Sequence, residues 1–232
     1  MELVIVIAII GIVVGVATVK LNETIDDTRV TATSAEMQAL AYAIVGNPDI
    51  YSGGTRSDFG YVGDIGALPP NLDALYTNPG GYTTWDGPYI GSTADPAGYR
   101  ADGWGVAYVF SDTLLRSTGS GSNIDKVFAP SSSALLANQV SGVVLDANSQ
   151  APQAAFQDSV VIIISYPDGA GGISNSSTNP DADGSFSFSN TPIGNHILRV
   201  IAVSDSDTMT YAVAVNPGKD VSLNIIFPAD LF

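Results

Sequence analysis

The chain has no cysteine, one histidine and few cations. Its 232 residues include a single His, His196, and 8 Lys plus Arg against 23 Asp plus Glu, for a formal net charge of −15. Without cysteine there is no disulfide framework, no thiolate zinc site and no cysteine nucleophile. With one histidine, a histidine triad or histidine metal cluster has too little material. No acid pair stands out as a general acid and base, so the chain is expected not to be an enzyme. Scarce cations argue against nucleic acid as a partner, because phosphate binding needs clustered positive charge. Glutamate is also rationed. It occurs only at Glu2, Glu23 and Glu36, and every later acid is Asp. Glu favours helices, whereas Asp favours turns and is depleted from strands. One N-terminal helix followed by a loop-rich, β-rich remainder is the expectation.

What is present begins with an apolar run. Leu3 to Val19 reads LVIVIAIIGIVVGVATV, with no charge between Glu2 and Lys20. As a helix it spans about 26 Å at ~1.5 Å per residue, slightly short of a ~30 Å hydrocarbon core. No basic segment precedes it and no small-residue cleavage site follows, which argues against a signal peptide. Beyond Lys20, Met37, Leu40, Ala41 and Ile44 fall at i, i+3, i+4 and i+7, a single apolar helix face. Gly46-Asn47-Pro48 then supplies a stop. A single helix over 1–46 is expected, with 1–20 crossing a membrane or lying in a filament core. Glu2, a carboxylate beside apolar residues, needs a partner or the interface.

Met1-Glu2-Leu3-Val4-Ile5-Val6-Ile7-Ala8-Ile9-Ile10-Gly11-Ile12 resembles the N-terminal motif of type IV pilins and type II secretion pseudopilins. The resemblance implies polymerisation through this helix. Glu2 would pair with the N-terminal ammonium of a neighbouring subunit, and Leu3, Ile5, Ile9, Gly11, Ile12 and Gly15 would line the filament core. It further implies insertion in the inner membrane before assembly. A separate prepilin peptidase, methylation of the new N-terminus and a separate assembly ATPase belong to the same expectation. No Gly-Lys-Ser/Thr phosphate loop is present in this chain. Family members usually begin four positions before the glutamate, so about three residues are expected to precede Met1. Val19 stands where many type IV pilins carry proline.

Residues 47–136 are rich in Gly, Pro and Tyr. Asp102-Gly103-Trp104-Gly105-Val106-Ala107-Tyr108 reads as a strand entered through a tight glycine turn, with Trp104 and Tyr108 on one side. The strand is expected to run over Val106 to Phe110. The segment resembles the globular head of major pseudopilins, where such a Trp-Gly-x-x-Tyr stretch lies in a small antiparallel sheet against the helix. The aromatics are expected to be structural, with sugar stacking as the alternative. Arg116 to Asp125 is a Ser/Gly-rich loop like those that ligate calcium in some pseudopilins. Asp112 and Asp125 are the candidate calcium ligands, a thin set for an ion that takes six to eight oxygens. A flexible hairpin loop is the alternative. Calcium aside, no cofactor is expected.

Residues 137–232 show β-type runs at Val140–Leu145, Val160–Tyr166, Ser185–Phe188, His196–Val203, Met209–Val215 and Val221–Phe227. This spacing reads as a β-sandwich. Val140 to Asp146, Asp181-Ala182-Asp183-Gly184-Ser185-Phe186-Ser187-Phe188 and Thr191-Pro192-Ile193-Gly194 resemble carboxypeptidase regulatory-like (transthyretin-like) domains. There the Asp-Gly pair is a hairpin turn and the role is non-catalytic.

The expected fold is therefore α+β. A long N-terminal helix packs on a small antiparallel sheet, the pilin fold, and an all-β Greek-key-type sandwich follows. The expected function is that of a structural subunit of an extracellular helical filament at the cell surface. The alternatives are a major pseudopilin and a membrane-anchored minor pilin or adhesin that binds ligands through the sandwich.

Overall fold

The structure is a computed structural model. It describes residues 2–91, 98–204, 206–228 and 230–232; the side chains of 2–5, 8, 11–13, 15–19 and 22 also lie outside the described set. Helix α1 (Glu2–Val45) runs for 44 residues, about 66 Å at 1.5 Å per residue. It ends where the glycine stop was expected. Gly46 turns the chain with φ 78°, and its N–H donates to the Tyr42 carbonyl at 2.7 Å. A Cβ at Gly46 would meet the Asp58 carbonyl oxygen at 2.3 Å, so glycine is required here twice over. Arg56 closes the helix end. Its Nη2 donates to the carbonyls of Val45 (2.6 Å) and Gly46 (3.2 Å), and the guanidinium lies 4.6 Å from the Phe59 ring centre. A cation on these orphan carbonyls also suits the negative end of the helix dipole.

The small elements of the head follow in order. They are β1 (Tyr51–Ser52), β2 (Thr55–Arg56), α2 (Gly60–Ile65), β3 (Val109–Ser111), β4 (Leu114–Ser117), β5 (Ile124–Val127) and α3 (Ser132–Leu136). Strands β3, β4 and β5 form an antiparallel sheet, and β4 and β5 lie against α1. Met37, Leu40 and Ile44 of α1 bury against Tyr61, Ile65, Leu75, Leu115 and Leu135 in one core, so the predicted apolar face is the one that packs. The expected strand over Val106 to Phe110 is displaced to Val109–Ser111. Trp104 and Tyr108 lie outside it, because the segment before it is held in a turn by Asp102.

The remaining elements are β6 (Asn138–Leu145), α4 (Gln153–Phe156), β7 (Val160–Pro167), β8 (Ile173–Thr178), β9 (Ser185–Thr191), β10 (Gly194–Ala202), β11 (Thr208–Val215) and β12 (Val221–Ile226). They make two sheets, ordered β11-β10-β7-β8 and β12-β6-β9. Val140, Val144, Ile162, Ile164, Phe186, Phe188, Leu198, Val200, Ile225 and Phe227 fill a core between them. Each β-type run expected from the sequence is present. Strand β8, ISNSST, was not expected. It is an edge strand, paired only with β7, and too polar to show alternation. Two further points differ. Strand β12 pairs with β6 in parallel. The Asp181–Gly184 turn is formed, with Gly184 N–H donating to the Asp181 carbonyl at 2.8 Å. It is not a hairpin, since the strand before it, β8, belongs to the other sheet.

The two cores touch. Ile193, between β9 and β10, is fully buried in the core of the head. Gly169 N–H donates to the Ile65 carbonyl and Thr83 N–H to the Gly171 carbonyl, both at 2.8 Å. At Gly66 (φ 77°) a Cβ would meet the Pro167 carbonyl oxygen at 2.3 Å, so the joint depends on a bare backbone there.

Candidate assembly surface

The head grips the second half of α1. Gly103 N–H donates to Thr33 Oγ1 at 3.0 Å, Tyr108 Oη to Glu36 Oε2 at 2.8 Å, and Trp104 Nε1 to Asp26 Oδ1 at 3.4 Å. Lys126 Nζ donates to Gln38 Oε1. Among the described residues, no hydrogen bond joins the helix before Asp26 to another element.

The clamp rests on Asp102, which the sequence reading passed over as part of a turn. It is 5% exposed. Its Oδ1 accepts from the N–H groups of Trp104 and Val106, both at 3.0 Å. Its Oδ2 accepts from Ser117 Oγ (2.6 Å) and Gly119 N–H (2.9 Å). Burial alone would raise this carboxyl; the four donors outweigh it and hold the group below its usual value. One anion thus ties the Gly103-Trp104 turn to the Ser/Gly-rich loop after β4.

Below the clamp, the described side chains of the helix are all exposed. Ile7, Ile10, Val14, Leu21 and Ile25 are all exposed, with Ile7 at 61% and Leu21 at 62%. These five, spaced by three, four, seven and four residues, fall on one stripe at about 100° per residue, while Val6 and Ile9, also exposed, lie off it. Met37, Leu40 and Ile44, the residues that pack under the head, lie on another side of the helix by the same reckoning. Such a seam is what a helix presents to other helices. Lys20 and Glu23 pair at 3.2 Å away from this stripe, both exposed.

The residues expected to drive assembly all lie on α1. The side chains of Glu2, Leu3, Ile5, Gly11, Ile12 and Gly15 fall outside the described residues, and Ile9 is exposed. Among the described residues, no helix is long and apolar enough to cross a membrane. The span expected over 1–20 falls where most side chains are not described.

Trp104 is half-buried on the helix and Tyr108 is buried, so both are occupied in the clamp. The calcium set does not fit. Asp125 faces Arg116 across the β4–β5 ladder, and the guanidinium engages both its oxygens at 2.6 and 2.7 Å. Asp112 sits in the β3–β4 turn with φ 45°. Among the described residues no group of three acids or histidines is placed to hold a metal. His196, on β10, is 2% exposed; Nε2 lies 2.7 Å from the Pro192 carbonyl and therefore carries the proton. Burial lowers its pKa, opposed by the bond to Pro192.

No protein-family model matches the chain, so neither resemblance drawn from the sequence gains support there. No curated protein matches it either. Solved structures are similar to parts of it. The dioxygenase domain of a dioxygenase–carbohydrate-binding fusion from Streptomyces sp. SirexAA-E is 12% identical with a TM-score of 0.31, over 41% of this chain and 82% of that one. BcpA, the major pilin subunit of Bacillus cereus, is 11% identical with a TM-score of 0.27, over 54% and 42%. A streptococcal ancillary pilin is 11% identical with a TM-score of 0.27, over 51% and 43%. The chain thus spans less than half the length of either pilin, and likenesses this distant assign it neither a fold nor a role.

Proposed function

We propose that the chain is the structural subunit of a type IV pilus-like extracellular filament, polymerising through α1 with the sandwich displayed outside. The observation that carries this reading is the exposed apolar stripe on a helix the head leaves uncovered. Burying a large aliphatic side chain gains roughly 1.5–3 kcal/mol, so the bare stripe is costly in water. Lipid relieves that cost before assembly, and neighbouring helices relieve it afterwards. Lipid and helix bundle are nearly equivalent for apolar groups. Register must then come from packing and from Glu2 paired with a neighbour's N-terminal cation. Leader cleavage and ATP-driven extraction are the work of separate proteins. The bulk of the sandwich favours a surface filament over a pseudopilus, which it would crowd.

Electron microscopy of sheared cell-surface material tests the reading. Glu2→Ala is expected to abolish filaments while the subunit stays in the membrane fraction. Leu21→Glu with Ile25→Glu, outside the apolar run, is expected to do the same. Normal filaments from the first variant would sink the Glu2 pairing, and normal filaments from the second would sink the role of the stripe.

A further inference from the structure

The outward face of the four-stranded sheet is mixed, with an aliphatic centre around one cation and Ser, Thr and Asn on the flanking strands. On β10, Leu198 and Val200 point into the core, so Ile197, Arg199 and Ile201 point out. In register, Arg199 lies between Thr210 of β11 and Ile163 of β7. Among the described residues it makes no ion pair and no side-chain hydrogen bond. Arg199 and Lys219 are the only cations of residues 137–232. A guanidinium flanked by isoleucines is suited to a carboxylate that arrives with its own apolar surround. A glycan would want an aromatic platform, but Tyr166 and Tyr211 of the flanking strands pack on the inward side.

The acid that answers Arg199 is abundant in the chain itself, whose net charge is −15. Exposed Asp158 precedes β7, at one end of this face. A face with a cation at its centre and a carboxylate at one end is self-complementary about a two-fold axis. We propose that this face is a contact between two copies of the chain, each Arg199 receiving a carboxylate of the other. The contact is separate from the helix-mediated assembly proposed above.

The lack of cysteine allows single-cysteine cross-linking on the full chain in detergent. Thr210→Cys reports the sheet face and Ile9→Cys reports the helix, each treated with a short bismaleimide. Covalent dimers are expected from Thr210→Cys. Their yield should fall at least tenfold when Arg199→Glu is added and recover with Arg199→Lys. Ile9→Cys dimers should be indifferent to Arg199, and a circular dichroism melt should show Arg199→Glu folded. Equal Thr210→Cys yields with and without Arg199→Glu overturn the proposal, as does a lack of Thr210→Cys dimers. Binding of polygalacturonate that Arg199→Glu abolishes, with dimers unchanged, overturns it in favour of a glycan. Thr210→Cys dimers without Ile9→Cys dimers would support the sheet contact and count against the helix reading.

Discussion

Tyr108 donates a 2.8 Å hydrogen bond from its hydroxyl to Glu36 Oε2, so the head holds the helix by a carboxylate it has partly dried. Burial raises the Glu36 pKa, the Tyr108 bond opposes the rise, and Asp102 adds to it. Tyr108→Phe is therefore expected to move Glu36 further up, as read by carboxyl-carbon NMR titration. It should also cost about 1–2 kcal/mol in denaturant unfolding. No change in either readout would show that the bond does not restrain the helix.

Asp102→Ala removes the acceptor of four donors at one buried point. The expected loss is roughly 2–4 kcal/mol, with Trp104 fluorescence shifting to longer wavelength as its turn loosens. Because the folded carboxyl lies below its ordinary value, its contribution is present above about pH 4 and disappears as pH falls through the folded value. Acid unfolding of the variant should accordingly begin from a lower stability but with a shallower dependence on pH.

Asp64 works in the opposite sense. Burial, opposed by the hydrogen bond from Tyr89 and aided by Asp86 and Asp58, pushes it up to about 6. A raised folded pKa means stability that is complete below the ordinary value, near 4, and lost as pH rises through about 6. The stability difference between the native chain and Asp64→Asn should therefore shift against the native chain between about pH 4 and 6, and level off above. Parallel curves across that range would contradict the assignment.

Ile193 belongs by sequence to the sandwich and by packing to the head. Ile193→Ala is expected to cost about 2–5 kcal/mol and to lower the unfolding midpoint of the head as well as that of the sandwich. Removal of residues 137–232 takes away Ile193 and the bonds at Gly169 and Gly171. The truncated head should therefore unfold at lower denaturant than in the full chain, followed by Trp85 and Trp104 fluorescence.

Much of this was legible in the residues. The i, i+3, i+4, i+7 face of Met37 to Ile44, the stop at Gly46 and the β-branched runs of the sandwich are local signals, and local structure obeyed them. What escaped notice depends on residues far apart in the chain. Asp102 looks like a turn residue until Ser117 and Gly119 are folded onto it. Asp125 looks like a cation ligand until the β4–β5 register sets Arg116 opposite. The strand at β8 is invisible because a polar edge needs only backbone pairing. Arg199 is an ordinary strand residue in one dimension, and its isolation appears only when three strands lie side by side.

The parallel pairing of β12 with β6 carries a kinetic consequence. Ser141 and Val221, bonded in the structure at 3.3 Å, are 80 residues apart in the chain. Such a contact bears the loop-closure entropy of everything between, so it forms late. Helix α1 and the hairpins β7–β8 and β10–β11 need no such wait. The helix therefore forms before the sandwich has sealed; under the proposed filament reading, a subunit recruited early would finish folding in the company of others.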